Sequence, residues 1–325
     1  MQRDAVKTLV LPFDRQDLPL PVDSAKWLFL NAELLEHSDI WSPRLECVQP
    51  FRPTYLQLQE LGYSVTANTD KDVRYDGALI LSHRSKALNW QMVSQAANAV
   101  KPGGMVIVAG EKTTGIVPLR KWVEKAAKIV GDISKYHARA FIFTTNKKVA
   151  TDLATPSEPL AGTFGAGKID KGSALLASLF NDKLTGEVAD FCAGTGYLAD
   201  QLLQKAKPAS LTLYEADFNA LELARQNLAQ APVNTNYHWL DLTSEPVLER
   251  FDHIVMNPPF HTGRKAEPQL GQSIILAAKR ALRPGGSLLI VANRNLPYEN
   301  TLKSAFGGLR ELLAQDGFKV LRAHN

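Results

Sequence analysis

The sequence predicts an α/β protein of two tandem domains, each with a mostly parallel sheet flanked by helices. Segments with the apolar pattern of strands alternate with segments of helical spacing along the whole chain, which is the order that open parallel sheets require. The chain also repeats part of itself, because residues 99–108 align with 281–290, and residues 75–81 align with 251–257. One α/β domain present twice explains both matches. Independent use of a common helix–Pro-Gly-Gly–strand sequence is the alternative.

The apolar spacing places the elements in each half of the chain. In the first half we expect helices at residues 88–100 and 119–129, and strands at residues 27–30, 64–67, 76–81 and 105–109. In the second half we expect helices at residues 174–180 and 197–203, a strand that ends near Asp190, and further strands at residues 211–215, 251–256 and 287–291.

A polar, proline-bearing run separates the two halves and is typical of a linker. We place the first domain at residues 1–150, the linker at residues 151–163 and the second domain at residues 164–325. The second domain begins with a glycine-containing segment, residues 164–173. Two interpretations of that segment stay open: it folds over a bound ligand, or it only connects the domains.

The length and composition are typical of a soluble globular protein. The chain has 325 residues, enough for about two domains, and its 45% hydrophobic and 22% charged content is typical of soluble globular proteins. No apolar run approaches the roughly 20 residues that span a bilayer, and the first residues do not resemble a signal peptide. The two cysteines, Cys47 and Cys192, form neither a disulfide framework nor a zinc motif, and the histidines show no ligand spacing. We therefore expect a cytoplasmic protein with no membrane contact and no metal.

The net charge of +4 is unevenly distributed along the chain. Residues 101–150 contain ten lysines and arginines against three acids, so this window carries +7 and the rest of the chain about −3. A basic surface of this kind suits a polyanion such as RNA. A solvated, lysine-rich helix face is the alternative interpretation.

The strongest motif is a glycine turn at residues 190–196, with the sequence Asp-Phe-Cys-Ala-Gly-Thr-Gly. It follows an apolar strand and precedes a segment of helical spacing, so it predicts a strand–turn–helix unit. Gly194 and Gly196 permit a tight turn and a close approach of a ligand to the backbone, and the first amides of the helix point at that ligand. A generic strand-to-helix turn would look the same, so this motif needs support from elsewhere.

That support comes from two later strand ends. Glu215 ends the next predicted strand, where an acidic side chain can hold a ribose diol. Asn257, Pro258, Pro259 and Phe260 directly follow the strand at residues 251–256. Three ligand-type motifs at the carboxyl ends of successive strands predict a single site.

The Asn-Pro-Pro-Phe sequence suits chemistry on a planar amine. The prolines fix the backbone and remove two donors, so the Asn257 side-chain oxygen and the Pro258 carbonyl can accept both hydrogens of an –NH2 group. Those contacts aim the nitrogen at an electrophile, and Phe260 offers a face for stacking a base. No strong general base is required, because the nitrogen gains positive charge only as it attacks. Catalysis is then mainly positioning, with acceptors aimed at developing positive charge.

A methyl sulfonium along the glycine turn would supply the electrophile. In that arrangement Glu215 takes the ribose hydroxyls, and Asp241 accepts from the adenine amino group. Asp190 either orients the turn or contacts the ammonium group of the ligand.

With these motifs in this order, the chain resembles class I S-adenosylmethionine-dependent methyltransferases that act on exocyclic amines. It is more closely similar to the ribosomal RNA guanine-N2 methyltransferases of the small subunit, and residues 293–298 and 110–115 add to this resemblance. The resemblance implies two tandem Rossmann-like methyltransferase domains, of which the N-terminal one is degenerate and serves as an RNA-binding domain or a scaffold. The first half indeed lacks the glycine turn and the Asn-Pro-Pro-Phe sequence.

The resemblance also implies the cofactor and the site residues. S-Adenosylmethionine is the expected cofactor, and Asn257, Pro258, Pro259 and Phe260 are the expected catalytic residues. The expected cofactor-binding residues are Asp190, Cys192, Ala193, Gly194, Thr195, Gly196, Glu215, Ala216, Asp241, Leu242 and Asn257. Many family members carry glycine where Cys192 stands. A catalytic thiolate at Cys192 is not expected, because no neighbouring base lies near it in sequence.

We therefore expect methyl transfer to the N2 amine of a guanine in 16S ribosomal RNA, with ribosomal RNA or the small ribosomal subunit as partner and a monomeric enzyme. The motif alone leaves other amines open: adenine N6, cytosine N4, a guanine of the large subunit, or a protein glutamine. An NAD(P)-dependent oxidoreductase fits the glycine turn and Glu215 but has no use for Asn-Pro-Pro-Phe. A non-catalytic RNA-binding protein is the remaining alternative.

Five further residues are weaker candidates for substrate contact, and each has a plain structural explanation as its alternative. They are His261, Arg264, Lys265, Arg294 and Tyr298.

Overall fold

The computed structural model describes residues 3–70, 72–155, 169–259, 261–262, 265–266 and 268–325. The chain divides into two compact units, Met1–Gly162 and Thr163–Asn325. Most of the predicted linker and half of the glycine-containing segment lie outside the described residues. The RNA-binding or scaffold role of the first half and the catalytic role of the second stay predictions at this point.

The first unit contains a seven-stranded sheet in the order β3-β2-β1-β4-β5-β7-β6. Its strands are β1 (Trp27–Leu30), β2 (Leu45–Val48), β3 (Ser64–Thr66), β4 (Tyr75–Leu81), β5 (Val100–Glu111), β6 (Ile129–Lys135) and β7 (Ala138–Thr144). Its helices are α1 (Asp4–Asp14), α2 (Ser38–Trp41), α3 (Arg52–Glu60), α4 (Lys86–Ala99), α5 (Ile116–Val123) and α6 (Lys147–Asp152), with a short 3-10 helix at Lys112–Thr114. Only β7 runs antiparallel to its neighbours, β5 and β6.

The second unit repeats this arrangement in the order β10-β9-β8-β11-β14-β16-β15. Its strands are β8 (Thr185–Phe191), β9 (Lys207–Glu215), β10 (Asn234–Trp239), β11 (Phe251–Met256), β14 (Leu282–Asn293), β15 (Gly308–Gln315) and β16 (Phe318–His324). Its helices are α7 (Lys171–Ala177), α8 (Tyr197–Lys205), α9 (Phe218–Asn227), α10 (Pro268–Ala281) and α11 (Tyr298–Ala305). A separate pair, β12 (His261–Thr262) and β13 (Lys265–Ala266), forms a small antiparallel ribbon.

The identical strand order confirms the predicted fold class and favours duplication over chance similarity. In both sheets the first strand of the unit lies beside the central strand, and the last strand is inserted between two earlier ones. The register also agrees, because Leu30 pairs with Val48 and Ile80, and Phe191 pairs with Tyr214 and Met256. Positions in one unit can therefore be matched with positions in the other.

Each sheet is covered on both faces, which explains its nearly continuous apolar strands. In the first unit, Phe29 faces a cluster that includes α1, whereas Leu28 and Leu30 face a cluster that includes α4 and α5. The second unit has the same two layers on either side of β8. Buried parallel strands hold their carboxyl ends in fixed positions, which matters for the site described below.

Two elements show where prediction and structure differ. The helix expected at residues 119–129 is α5, which begins and ends earlier because Ile116, Leu119 and Val123 form its buried face. Helix α1 was not predicted, since it is apolar around most of its circumference and contains Pro12 in its last turn. Among the described residues, no helix is long and apolar enough to cross a membrane.

Candidate active site

The glycine turn connects β8 to α8 at the centre of the second sheet. Gly194 and Gly196 have φ angles of +54° and +83°, a left-handed conformation that glycine adopts without strain. A Cβ at Gly196 would lie 3.1 Å from the Cβ of Ala224, so this position also lacks space for a side chain. The turn therefore favours glycine at both positions, in agreement with the tight turn that the sequence predicts.

Cys192 begins the same turn and is also left-handed, with φ of +61°. A non-glycine residue in this conformation costs about 1–2 kcal/mol, which is a physical reason to expect glycine at this position. Burial first, and then the negative charges of Glu215, Asp190 and Asp241, raise the pKa of the Cys192 thiol well above its ordinary value. The thiol therefore stays protonated, and this environment does not support a catalytic thiolate.

Asp190 is fully buried at the end of β8. Its Oδ2 atom accepts a hydrogen bond from the Ala199 amide at 3.1 Å, so it ties the strand to the first turn of α8. Its Oδ1 atom has no hydrogen-bond partner in the described part of the chain. Burial and the neighbouring Glu215 raise the pKa of the Asp190 carboxyl well above its ordinary value. Asp190 thus orients the turn and keeps one buried acceptor free.

Glu215 ends β9 beside the turn. Its Oε2 atom accepts from the Gly194 amide at 2.7 Å, and its Oε1 atom accepts from the Asp217 amide at 2.9 Å. One carboxylate therefore connects the glycine turn to the loop that leads into α9. Ala216 belongs to that loop, and its carbonyl accepts a hydrogen bond from the Trp239 indole at 2.8 Å.

Asp241 follows β10 and organises its own turn. Its Oδ1 atom accepts from the amide and the hydroxyl of Thr243, and its Oδ2 atom accepts from the Ser244 hydroxyl at 2.7 Å. Leu242 is buried in the same turn. Their predicted contact with the adenine stays a prediction, and the observed role of Asp241 is to hold this loop in place.

Asn257 lies directly after β11, on the strand next to β8. Its Nδ2 atom donates to Asp170 Oδ1 and to Ser173 Oγ, both at 2.8 Å. Because a carboxylate can only accept, Asp170 requires the nitrogen of the amide to face it. The Asn257 Oδ1 atom therefore points the other way, and it is buried without a partner among the described residues. A fixed, unpartnered acceptor is what the predicted chemistry needs.

The remaining residues of this motif are described in part. Pro258 is buried and Pro259 is exposed, and both bonds that precede them are trans. Phe260 lies outside the described residues, as do Arg264 and the side chains of His261 and Lys265. The stacking role of Phe260 stays a prediction.

Asp170 and Ser173 are the functional residues that sequence reasoning missed. Asp170 is the N-cap of α7, because its Oδ1 atom also accepts from the Ser173 amide at 2.9 Å. An aspartate directly before an apolar helical segment is an N-cap signal, and it was present in the sequence. The capping pattern does not reveal the second role, which is to orient Asn257.

A cavity of about 230 Å³ lies along the glycine turn. Its wall brings together many of the predicted residues with the two missed ones: Cys192, Ala193, Gly194, Thr195, Gly196, Asn257, Asp170 and Ser173. Ile169, Tyr197, Leu198, Asp200 and Asn227 complete this wall from positions that were not predicted. Asp190, Glu215, Ala216, Asp241, Leu242, Pro258 and Pro259 do not line it. Of these, Glu215 accepts a hydrogen bond from the Gly194 amide of the turn, and Asp190 accepts one from the Ala199 amide in α8.

These residues fit the expected cofactor. The cavity follows the backbone of the turn, and its wall includes the acidic side chains Asp170 and Asp200, which suits a ligand that carries a positive sulfonium. The partnerless oxygens of Asp190 and Asn257 are buried acceptors of the kind that a bound ligand satisfies. S-Adenosylmethionine is the ligand class that this donor set can hold.

Tyr298 and Arg294 do not line the cavity. Tyr298 is fully buried against α10, where a Cβ at Gly271 would lie 2.0 Å from its hydroxyl. Arg294 is exposed in a loop whose carbonyls at Arg294 and Leu296 accept hydrogen bonds from the buried Lys319 ammonium. The structure therefore gives Tyr298 a packing role rather than a place on this wall.

The first unit retains the backbone arrangement of the site but lacks the polar side chains of Asp190 and Asn257. By register, Phe29 stands where Asp190 stands, and Leu81 stands where Asn257 stands. Gln49 matches Glu215, and its amide donates to the Ala32 carbonyl at 2.7 Å. Asn31 matches Cys192 and has the same left-handed conformation, with φ of +52°. Two apolar replacements explain why the first half carries no ligand motif.

Replacing Asp190 by asparagine should stabilise the fold while weakening the site. A carboxyl group with a raised pKa holds its proton more tightly in the folded protein, so stability falls as the pH rises from the ordinary value of 3.8 toward the raised one. Asp190→Asn removes that fall, and we expect a free energy of unfolding higher by about 1 kcal/mol at neutral pH. Urea denaturation without ligand at about pH 5 and about pH 8 measures the difference, which should grow with pH. A variant that is less stable at the higher pH would contradict this expectation.

A family model described as the methyltransferase small domain matches residues 158–322. The chain is 30% identical over 290 residues to the ribosomal RNA small subunit methyltransferase C of Idiomarina loihiensis, and the alignment spans 84% of this chain and 83% of that relative. It is 32% identical over 250 residues to the protein of the same name in Mannheimia succiniciproducens, covering 72% of this chain and 73% of that one.

A solved structure also covers the whole fold. It is the T. thermophilus 16S rRNA N2 G1207 methyltransferase in complex with AdoMet and guanosine. The match has a TM-score of 0.81, spans 99% of this chain and 92% of that one, and has 22% sequence identity. At this identity the match supports the tandem fold.

Proposed function

This chain belongs to the family of ribosomal RNA small subunit methyltransferases C, and from that premise we propose that it methylates the N2 amine of a guanine in 16S ribosomal RNA with S-adenosylmethionine as donor. The observation that carries the proposal is the Asn257 amide. Asp170 and Ser173 fix it with its free oxygen beside a cavity built on the glycine turn. Membership of this family argues against the oxidoreductase alternative.

The chain's own residues position the reactants. When bound, S-adenosylmethionine supplies an electrophilic methyl group. Asn257 Oδ1 and the Pro258 carbonyl accept the two hydrogens of the guanine amine, so that the nitrogen faces the methyl donor. As the nitrogen gains positive charge, these acceptors stabilise it, and the proton leaves to water afterwards. Neither Cys192 nor a histidine is needed as a base.

The cofactor would be held by residues of three strand ends. The backbone from Cys192 to Gly196 would lie along it, and Glu215 and Asp241 would take the ribose and the adenine, as expected from the sequence. Asp190 supports the turn through the Ala199 amide. Its partnerless Oδ1 atom is available to a polar group of the ligand.

The substrate would be held in part by the basic first unit. In residues 101–150, three basic side chains are paired with acids, namely Lys101 with Asp76, and Arg120 and Arg139 with Asp132. Among the described residues no ion pair engages the other lysines of this window, which are all exposed: Lys112, Lys121, Lys125, Lys128, Lys135, Lys147 and Lys148. These cations support RNA or the small ribosomal subunit as partner. We further propose that the protein acts as a monomer in the cytoplasm.

Transfer of a labelled methyl group tests the proposal. The protein is incubated with labelled S-adenosylmethionine and either 16S ribosomal RNA or small subunits from cells that lack it, and the RNA is digested to nucleosides. The expected product is N2-methylguanosine, from free RNA or from subunits. Label on another amine or on a protein would refute the substrate, and an absence of transfer from protein that binds the cofactor would refute the activity.

A further inference from the structure

The hairpin between β6 and β7 has an unusual turn. Lys135 pairs with Ala138, so the loop consists of only Tyr136 and His137. Both have left-handed backbones, with φ of +52° and +56°. A two-residue hairpin turn of this kind favours Asn-Gly or Asp-Gly, because each bulkier residue is strained in it.

The second unit makes the same hairpin with favourable residues. Between β15 and β16, the two loop residues are Asp316 and Gly317, with φ of +49° and +80°. The two hairpins occupy the same place in the strand order of their sheets. The first unit therefore keeps a costly pair of side chains where its own duplicate uses an unstrained pair. Strain that persists at an exposed position indicates that the side chains have a function.

The surroundings of Tyr136 and His137 suit a flat ligand. Both residues are exposed, and Tyr136 keeps 42% of its surface accessible. The tip lies at the carboxyl edge of the first sheet, because Ala138 at the start of β7 pairs with Glu111 at the end of β5. A cavity of about 530 Å³ separates the hairpin from the turn at Lys112. An aromatic face beside an open cavity is a place for a base to stack.

Two lysines lie beside Tyr136 and His137. Lys112 and Lys135 are exposed on the two sides of the cavity, and neither makes an ion pair within the described residues. The acid at this edge, Glu111, is neutralised by Arg3, whose Nη2 atom lies 2.7 Å from its carboxylate. The Lys135 ammonium lies 5.8 Å from the centre of the Tyr136 ring. Two lysines that make no ion pair in the described part of the chain therefore flank the aromatic surface.

We propose that this hairpin, residues 135–137 together with Lys112, binds an unpaired nucleotide of the RNA substrate. The base stacks on Tyr136 and His137, and its flanking phosphates contact Lys112 and Lys135. Sequence-tolerant recognition of single-stranded RNA combines these two elements. An acidic protein would use the lysines but would not require two aromatic rings on a strained turn. The inference rests on the proposed function, since it names a contact for the same substrate.

The first test replaces the strained pair with small turn residues. The double variant Tyr136→Asn/His137→Gly removes both rings and relaxes the turn. We expect the Kd for 16S ribosomal RNA to weaken about tenfold, the loss of one stacked base. The midpoint of urea unfolding should stay equal or rise, and kcat at saturating RNA and the affinity for S-adenosylmethionine should not change. Weaker binding by a more stable protein separates a lost contact from a damaged fold.

The second test removes the charges. Lys112→Ala/Lys135→Ala should lower the slope of log Kd against log salt by about 0.7 for each lysine, because each releases one phosphate contact to a single strand. The matched control is Lys183→Ala/Lys207→Ala, which removes the same charge from exposed residues at the amino edge of the second sheet. The control should leave the slope unchanged.

The outcomes separate this inference from the proposed function. Unaltered protein that methylates no RNA refutes the proposed function, whatever the hairpin does. If unaltered protein methylates 16S ribosomal RNA while both hairpin variants keep its Kd and salt slope, the hairpin inference is refuted. An equal decrease of the salt slope in the hairpin lysine variant and in the control would also refute the hairpin inference, because it would show a general effect of charge.

Discussion

Replacing Asn257 by alanine is expected to lower kcat for methyl transfer by about 10²–10³-fold, the usual effect of removing one oriented polar group from a reacting centre. The structure gives the reason, since the amide is fixed by two hydrogen bonds and presents a single free oxygen. Affinity for S-adenosylmethionine should change far less, and the variant should remain folded. Single-turnover methyl transfer to 16S ribosomal RNA, with calorimetric titration of the cofactor, measures both quantities.

A second variant makes this expectation more specific. Ser173→Ala removes one of the two acceptors that hold the Asn257 nitrogen but leaves Asp170 in place. We expect kcat to fall about tenfold, because the amide is oriented less firmly. An unchanged kcat in the Asn257→Ala variant would show that the Asn257 amide is not an acceptor in the reaction. A Ser173 variant as impaired as Asn257→Ala would show that α7 matters for more than the orientation of this amide.

Replacing Glu215 by alanine should weaken S-adenosylmethionine binding by about 10²-fold. The carboxylate accepts from the amides of Gly194 and Asp217, so its removal releases both the glycine turn and the loop before α9. Hydrogen bonds to a charged group are worth about 1.5–3 kcal/mol, and the contact expected with the ribose is lost as well. Isothermal calorimetry measures the change in affinity.

Glutamine at this position is the matched control. The first unit already carries Gln49 at the equivalent place, where its Oε1 atom accepts from the Phe51 amide at 2.9 Å. An amide can therefore hold the loop, so Glu215→Gln should lose only part of the affinity, through the missing charge and one donor in place of an acceptor. Equal losses of affinity for S-adenosylmethionine in the alanine and glutamine variants would indicate that the charge of Glu215, and not the shape of the turn, controls binding.

The fold and the main site motifs could be predicted because their signals are local. A strand followed by glycines and a helix constrains its backbone within a few residues, and parallel strands place their carboxyl ends along one edge. Those two facts brought the glycine turn, Glu215 and Asn257 together without knowledge of any contact. The repeat of residues 99–108 then indicated that the same α/β domain is present twice.

The missed features depend on distant contacts. Asp170 lies 87 residues before Asn257, and no spacing rule connects a helix cap to an amide at a strand end. The hydrogen bonds of Asp241 to its own turn were also not predicted, and its expected contact with the adenine stays a prediction. Tyr136 and His137 gave no turn signal at all, since neither is a residue that a two-residue hairpin favours.

The insertion of the last strand between two earlier ones has a consequence for the order of folding. Strand β15 has no neighbour other than β16, so residues 308–315 cannot join the sheet until residues 318–324 have left the ribosome. The Asp316–Gly317 turn lets the two strands form a hairpin locally and add to β14 in one step. In the first unit the same step depends on the strained turn at Tyr136, and its hairpin should therefore close more slowly. The Tyr136–His137 pair, which is proposed to bind RNA, would thus slow the folding of the first unit.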